Sequence, residues 1–157
     1  MNVKVEIANE CNGNWCPDEN SCRLWLEKAL QFAQHPTPSS ISLRFVDSIE
    51  SARLNAHYRG KDSSTNVLSF PASLPAAVSS QLSCAPLGDI VVCPAVVESE
   101  ATDQGKSLEA HWAHMLVHGC LHLLGFDHQQ SRQADAMESL EIRALESLGF
   151  DNPYLIG

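Results

Sequence analysis

The sequence predicts an α+β domain, and three observations carry that prediction. Four short apolar stretches have the length and alternation of strands, about five longer ones repeat their apolar residues at helical spacing, and no internal repeat or linker-rich boundary divides the chain. With 157 residues the chain lies in the usual range of one domain and buries about two-thirds of its unfolded surface, so residues 1–157 are read as a single domain. A core of that size needs neither a disulfide nor a metal to be stable. A metal, if one is bound, is there for chemistry.

The first strand is expected over residues 2–8, with Val3, Val5 and Ile7 on one face and Asn2, Lys4 and Glu6 on the other. After a polar loop, Cys22, Trp25, Leu26, Ala29, Leu30 and Ala33 repeat as a helix buried along one stripe, and Pro36 and Pro38 end it. Residues 41–46 alternate again through Ile41, Leu43 and Phe45. Asp47 stands as an N-cap with Glu50 placed to bond back to it, which predicts a helix from Ser48 to about His57. A polar loop over 58–66 then precedes a strand from Val67 to Phe70, stopped by Pro71. The Ala-, Ser- and Pro-rich stretch from Pro71 to Leu87 reads as a mobile loop before the fourth strand, Ile90 to Cys93. Pro94 suits the first turn of a helix that Gly105 closes after Gln104, and Ser107 with Glu109 opens the next. The last helix is expected from Ser131 to Leu148, with Gly149 as its stop.

Charge narrows the function. Nineteen acidic and 10 basic side chains leave a net charge of -9, which argues against a protein that coats nucleic acid through bulk charge. No stretch approaches the ~18 consecutive apolar residues of a membrane span, and Met1 to Glu10 alternates apolar and polar residues, so a cytoplasmic protein without a membrane partner is expected. The six cysteines form no CxxC pair and read as free thiols. Cys11, Cys16 and Cys22 have the wrong gaps for a zinc knuckle, and Cys22 belongs to the buried helical stripe.

Five of the seven histidines lie between His111 and His128. Residues four apart on a helix differ by about 40° in direction, so His118 and His122 can present imidazoles to one point. Gly125 follows where a left-handed turn is expected, and the returning chain can bring in His128 as a third nitrogen. A single histidine on an apolar helix is ordinarily a buried, hydrogen-bonded side chain, but three at H-x3-H-x5-H around a Gly turn point to a metal. Three protein ligands leave one open position on a tetrahedral zinc, and a water bound there loses its proton near neutral pH. The spacing is also that of metzincin peptidases, H-E-x-x-H-x-x-G-x-x-H, except that Gly119 stands where their Glu base belongs. Cys120 points about 160° away from His118 and is not expected to ligate.

The run from His114 to His128, with Tyr58-Arg59-Gly60-Lys61-Asp62, Thr65 to Pro71, Leu87-Gly88-Asp89-Ile90, Leu108 to His114 and Gly149 to Tyr154, resembles the YbeY family of bacterial endoribonucleases. Phe126 and Cys120 depart from the residues common there, and the first 40 residues and 72–86 carry least of the resemblance. It implies a four-stranded mixed sheet with several helices and a zinc site at the C-terminal end of a central helix. It further implies a cytoplasmic, single-strand-specific endoribonuclease acting at the 3′ end of small-subunit ribosomal RNA and in ribosome quality control. One Zn2+ would be held by His118, His122 and His128 with a water. The partners implied are single-stranded ribosomal RNA, the small ribosomal subunit or its proteins, and an assembly GTPase. Arg59 takes the place of the family's functional arginine, and His114 matches a further position implicated in activity.

Physical roles follow for these residues. Arg59 has a fork of donors suited to phosphate oxygens, and Lys61 and Arg53 gather near it in an otherwise acidic chain. His114, one turn before His118, is suited to proton transfer near the metal or to orienting a ligand. His111 reads as a surface or packing residue, and Asp127 as a partner of a ligand or of the turn. Nickel, iron and copper also accept three imidazoles. The alternatives to the nuclease are an RNA- or ribosome-binding assembly factor whose metal is structural, and a peptidase whose base comes from Glu138 or Glu141. The net acidity predicts that cleavage depends on a docked ribosomal context.

Overall fold

The computed structural model describes residues 3–11, 13–35, 38–73, 84–126 and 131–155. Strands β1 (Val3–Asn9), β2 (Ser39–Phe45), β3 (Val67–Pro71) and β4 (Ala85–Val92) form one sheet in the order β1-β2-β4-β3. β1, β2 and β4 run parallel and β3 pairs antiparallel with β4, so the sheet is mixed. Five helices are described: α1 (Glu19–Phe32), α2 (Ser48–Arg59), α3 (Pro94–Gln104), α4 (Leu108–Leu123) and α5 (Ser131–Ser147).

Local chemistry sets most of these boundaries. Asp18, Asp47 and Ser107 each accept the backbone N–H three residues on, capping α1, α2 and α4. The Glu50 side chain, expected to bond back to Asp47, instead takes Arg53 and Arg44, so the capping box is only half formed. Helix α1 ends at Phe32, before the two prolines, with Ala33 as its C-cap. Gly88 explains why β4 starts well before Ile90: at φ +139 it lies so close to β3 that an added Cβ would sit 2.2 Å from the Phe70 carbonyl. The pairing of β4 with both β2 and β3 therefore absorbs residues 85–87 of the expected loop. Residues 74–83 of that loop lie outside the described residues.

Helix α4 is central. Eleven of its 16 residues are buried, so it lacks the polar face of a surface helix and is covered by the sheet and by α1, α3 and α5. Its Trp112 is fully buried against Phe45 of β2, with ring centroids 5.0 Å apart. Truncating such a ring to alanine costs about 3–5 kcal/mol. Cys22 is buried in the same core, as its place in the α1 stripe requires. The opposite sheet face carries a smaller cluster, Val46, Leu54, Leu68 and Val91, beneath α2. The core thus fixes α4 against β3 and β4, which brings its last two turns beside the start of β3 and the end of α2.

Candidate metal centre and basic cleft

The last turns of α4 set His118 and His122 one above the other. Their Nε2 atoms lie 3.1 Å apart and their ring centroids 4.6 Å apart, with the planes at 79°. Neighbouring nitrogens around a tetrahedral zinc lie about 3.3 Å apart, so the pair approaches the spacing of two ligands of one ion. Gly125 follows at φ +98, in the left-handed region expected of it. His128 and Asp127 lie outside the described residues.

A third group fixes His118 from behind. Glu141 of α5 is fully buried, and its carboxylate accepts from His118 Nδ1 at 2.8 Å and from His114 Nε2 at 2.9 Å. The Tyr154 hydroxyl donates to the same carboxylate, 3.1 Å from Oε1 and closer to Oε2. Burial works to raise the Glu141 pKa, but the bonds from His114 and His118 outweigh it and hold it at about 2. Burial, reinforced by the Glu141 carboxylate, pushes the Tyr154 phenol upward, so it stays a donor. His114 Nδ1 is buried and makes no hydrogen bond among the described residues, which places the ring proton on Nε2, facing Glu141.

Ligand-type atoms of His114, His118 and Glu141 all lie within 4.8 Å of one another, and this cluster could hold a metal ion. The 2.8 and 2.9 Å N···O distances are nevertheless those of direct hydrogen bonds, with the carboxylate touching each ring nitrogen. On the other side His118 Nε2 and His122 Nε2 meet each other at 3.1 Å. Both rings line a cleft of about 660 Å³ with Arg59, Lys61, Asn55, Thr65, Asn66 and Phe126, whereas His114 does not line it. No carboxylate borders this cleft among the described residues.

Arg59 was expected in a loop but occupies the last turn of α2, where a cation also favours the helix C-terminus. Gly60 then turns the chain at φ +69 toward Lys61. The segment behind these cations is pinned: Asn55 donates to the Ser63 carbonyl at 2.8 Å, and Ser51 Oγ bonds the backbone of Thr65 at 2.9 and 3.0 Å. Asn66 Nδ2 donates to Glu100 of α3, which also holds His111 at 2.9 Å. Arg53 does not join the cleft, because Glu50 holds its guanidinium at 2.6 and 2.8 Å. His111 is a packing residue, 2% exposed, and not a surface one.

Gly119 faces the sheet. An added Cβ would stand 3.0 Å from Ile90 Cγ2 and 3.2 Å from Ser69 Oγ, and that hydroxyl donates to the Gly119 carbonyl at 2.9 Å. A side chain there would need Ile90, Ser69 and Val67 to give way by a few tenths of an ångström. Cys120 is fully buried on the same helix, and burial pushes its thiol up to about 12, far from ligand chemistry.

A family model described as "Endoribonuclease YbeY" matches residues 6–149. The chain belongs to the YbeY family. The solution structure of TM1509 from Thermotoga maritima is similar in fold, with a TM-score of 0.59 and 24% identity over 92% of this chain and 89% of that one. Membership of a family of endoribonucleases supports a nuclease role. Among the described residues no helix is long and apolar enough to cross a membrane.

In this YbeY-family chain, spacing brought forward His118 and His122, and the resemblance brought forward Arg59 and His114; the fold gathers His118, His122 and Arg59 at one cleft while turning His114 to Glu141. Reasoning from spacing missed the role of Glu141, although a signal was present. Glu141 stands at i+4 from Met137 and i−4 from Leu145, inside the apolar stripe of α5, where a carboxylate needs buried partners. Tyr154 carried no comparable signal.

Proposed function

We propose that this chain is a metal-dependent endoribonuclease that cleaves single-stranded ribosomal RNA in the maturation and quality control of the small subunit. The observation that carries this reading is one cleft holding two imidazole Nε2 atoms 3.1 Å apart beside Arg59 and Lys61. His118 and His122 are assigned as ligands, with His128 as the third on sequence spacing. Neutral imidazoles suit a borderline ion, and Zn2+ fits them with one position left for water. An ion held there would supply a water that ionises near neutral pH.

The chain's own residues do the rest. The Arg59 guanidinium can take two non-bridging oxygens of a phosphodiester, and Lys61 adds a mobile point charge. Hydrolysis adds the water oxygen to phosphorus, breaks the bond to the leaving sugar oxygen and returns a proton to that oxygen. His114 acts through Glu141 and not on the reacting atoms. Among the described residues no base for a peptidase faces the cleft: Gly119 stands where a glutamate would be needed, Glu141 is enclosed by three donors, and Glu138 is exposed outside the cleft.

The test compares wild type with His118→Ala and Arg59→Glu for bound metal and for cleavage of ribosomal RNA and of a peptide. His118→Ala is expected to lose metal and RNA cleavage together. Arg59→Glu is expected to keep the metal and lose cleavage by about 10²-fold or more, as for removal of one charge-stabilising donor. RNA cleavage that survives loss of the metal would sink the mechanism, and binding without cleavage in the wild type would favour an assembly factor. Cleavage on the small subunit should exceed that of free, unstructured RNA, because the net charge of -9 repels RNA away from the cleft.

A further inference from the structure

We infer that Glu141 and Tyr154 are positioning residues that set how tightly the centre holds its metal, by fixing the ring orientation and tautomer of His118. This rests on the proposed assignment of His118 and His122 as ligands.

An imidazole offers a metal one nitrogen only when the proton sits on the other. At His118 the Nδ1 proton is directed to Glu141 Oε1, 2.8 Å away, which leaves the Nε2 lone pair toward His122 and the cleft. A carboxylate on the far nitrogen also makes the ligating nitrogen more basic. The carboxylate is itself held, because His114 Nε2 at 2.9 Å and the Tyr154 hydroxyl take its other oxygen. Glu141 therefore cannot rotate away from His118 without leaving two further donors unpaired in a buried site.

Tyr154 contributes from outside the helices. It lies on the segment that follows α5, where its N–H donates to Asn152 Oδ1 at 2.8 Å and Phe150 packs edge-on against Trp25 of α1 at 6.2 Å. Its ring is edge-on to His114 at 5.5 Å and the residue is 41% exposed, so only its hydroxyl end is committed to the interior. The docking of a short surface segment and the grip on the metal are thereby one structural event.

The experiment titrates Zn2+ into metal-stripped full-length protein in competition with a chromophoric chelator, for wild type, Glu141→Gln, Tyr154→Phe and His122→Ala. In parallel, nitrogen-detected imidazole NMR of the stripped proteins reads the His118 tautomer. Glu141→Gln is expected to weaken zinc binding on the order of 10- to 100-fold and to mix the His118 tautomers. Tyr154→Phe should do the same to a smaller extent, and it carries the test alone if Glu141→Gln does not fold. Unchanged affinity and tautomer in folded Tyr154→Phe and Glu141→Gln, with zinc lost in His122→Ala, would overturn this inference while leaving the metal centre standing. Wild-type affinity in His122→Ala would overturn the metal centre and this inference with it. Loss in Glu141→Gln as complete as in His122→Ala, with the tautomer intact, would make Glu141 a ligand and also overturn it.

Discussion

Two glutamates grip the same histidine-bearing helix, and they do so under different conditions. Glu100 of α3 meets His111 near the start of α4, with its side chain 32% exposed, while Glu141 of α5 meets His114 and His118 further on with its side chain 1% exposed. Glu100 Oε1 accepts from both His111 and Asn66, so it ties α4 to the segment that carries Lys61. Glu141 gives everything to one cluster and points His118 at the cleft. Burial, against the pull of Glu100, keeps the His111 pKa below its usual value, so at neutral pH that contact is a hydrogen bond from a neutral ring. The lesson is that the same pair of residue types braces the wall of the cleft at one turn and aims an imidazole into it at another, according to depth and second partners.

Removing each carboxylate tests this contrast. The largest effect is expected from Glu141→Ala, which leaves His114, His118 and Tyr154 without their acceptor and should cost about 3–5 kcal/mol in a urea denaturation series. Glu100→Ala should cost about 1–2 kcal/mol, because water can reach part of what it leaves behind. Its more specific signature is faster amide hydrogen exchange at Thr65 to Val67, which Glu141→Ala should not share. Equal losses and equal exchange patterns would erase the distinction between the two.

The smallest effect sharpens the comparison from the surface. Glu50, on the other side of the sheet, is held at about 2 by its bond from Arg53, with burial opposing and Arg44 adding to the lowering. A pKa lowered on folding stabilises above the ordinary carboxylate range, about 4.3, and that contribution disappears as pH falls toward 2. The melting temperature of Glu50→Gln should therefore lie below wild type by no more than a few degrees at pH 7, and the two should converge near pH 2. A gap that persists at low pH would mean that the substitution acts through packing.

The groove on that sheet face shows why charge totals needed a location. It is lined by Glu6 and Asp89 with Tyr58 and Phe70, and its one guanidinium, Arg44, is already bound by Glu10 and Glu50. Such a surface repels phosphate. The cleft at His118 lies among residues of the same acidic chain but presents Arg59 and Lys61 with no described carboxylate. The net charge was legible in composition, but its separation onto two surfaces was not.

Much of the fold could be read directly, because strands and helices are written in local periodicity. The caps at Asp47 and Ser107, the stops at Gly105 and Gly149, and the α1 stripe through Cys22 all depend on residues within a few positions of each other. So does the pairing of His118 with His122, since one helical turn suffices to set it. The misplaced start of β4 involves a distant partner: the strand reaches back to Ala85 because β2 pairs along it. Arg53, by contrast, leaves the basic group through a near neighbour, Glu50, three residues before it.

By itself the sequence determined the element types and the two stacked imidazoles, since each is a matter of spacing along one segment, while Arg59 came forward from the family resemblance and the basic residues gathered around it. Only the tertiary structure decided which histidine faces the cleft and which faces a carboxylate. It also decided which donors meet the buried Glu141 carboxylate, and that Gly119 stands where helix and sheet pack tightly, an added Cβ lying 3.0 Å from Ile90 Cγ2. Those outcomes depend on the contact of α4 with β3, β4 and α5, segments whose local patterns hold no information about one another's depth.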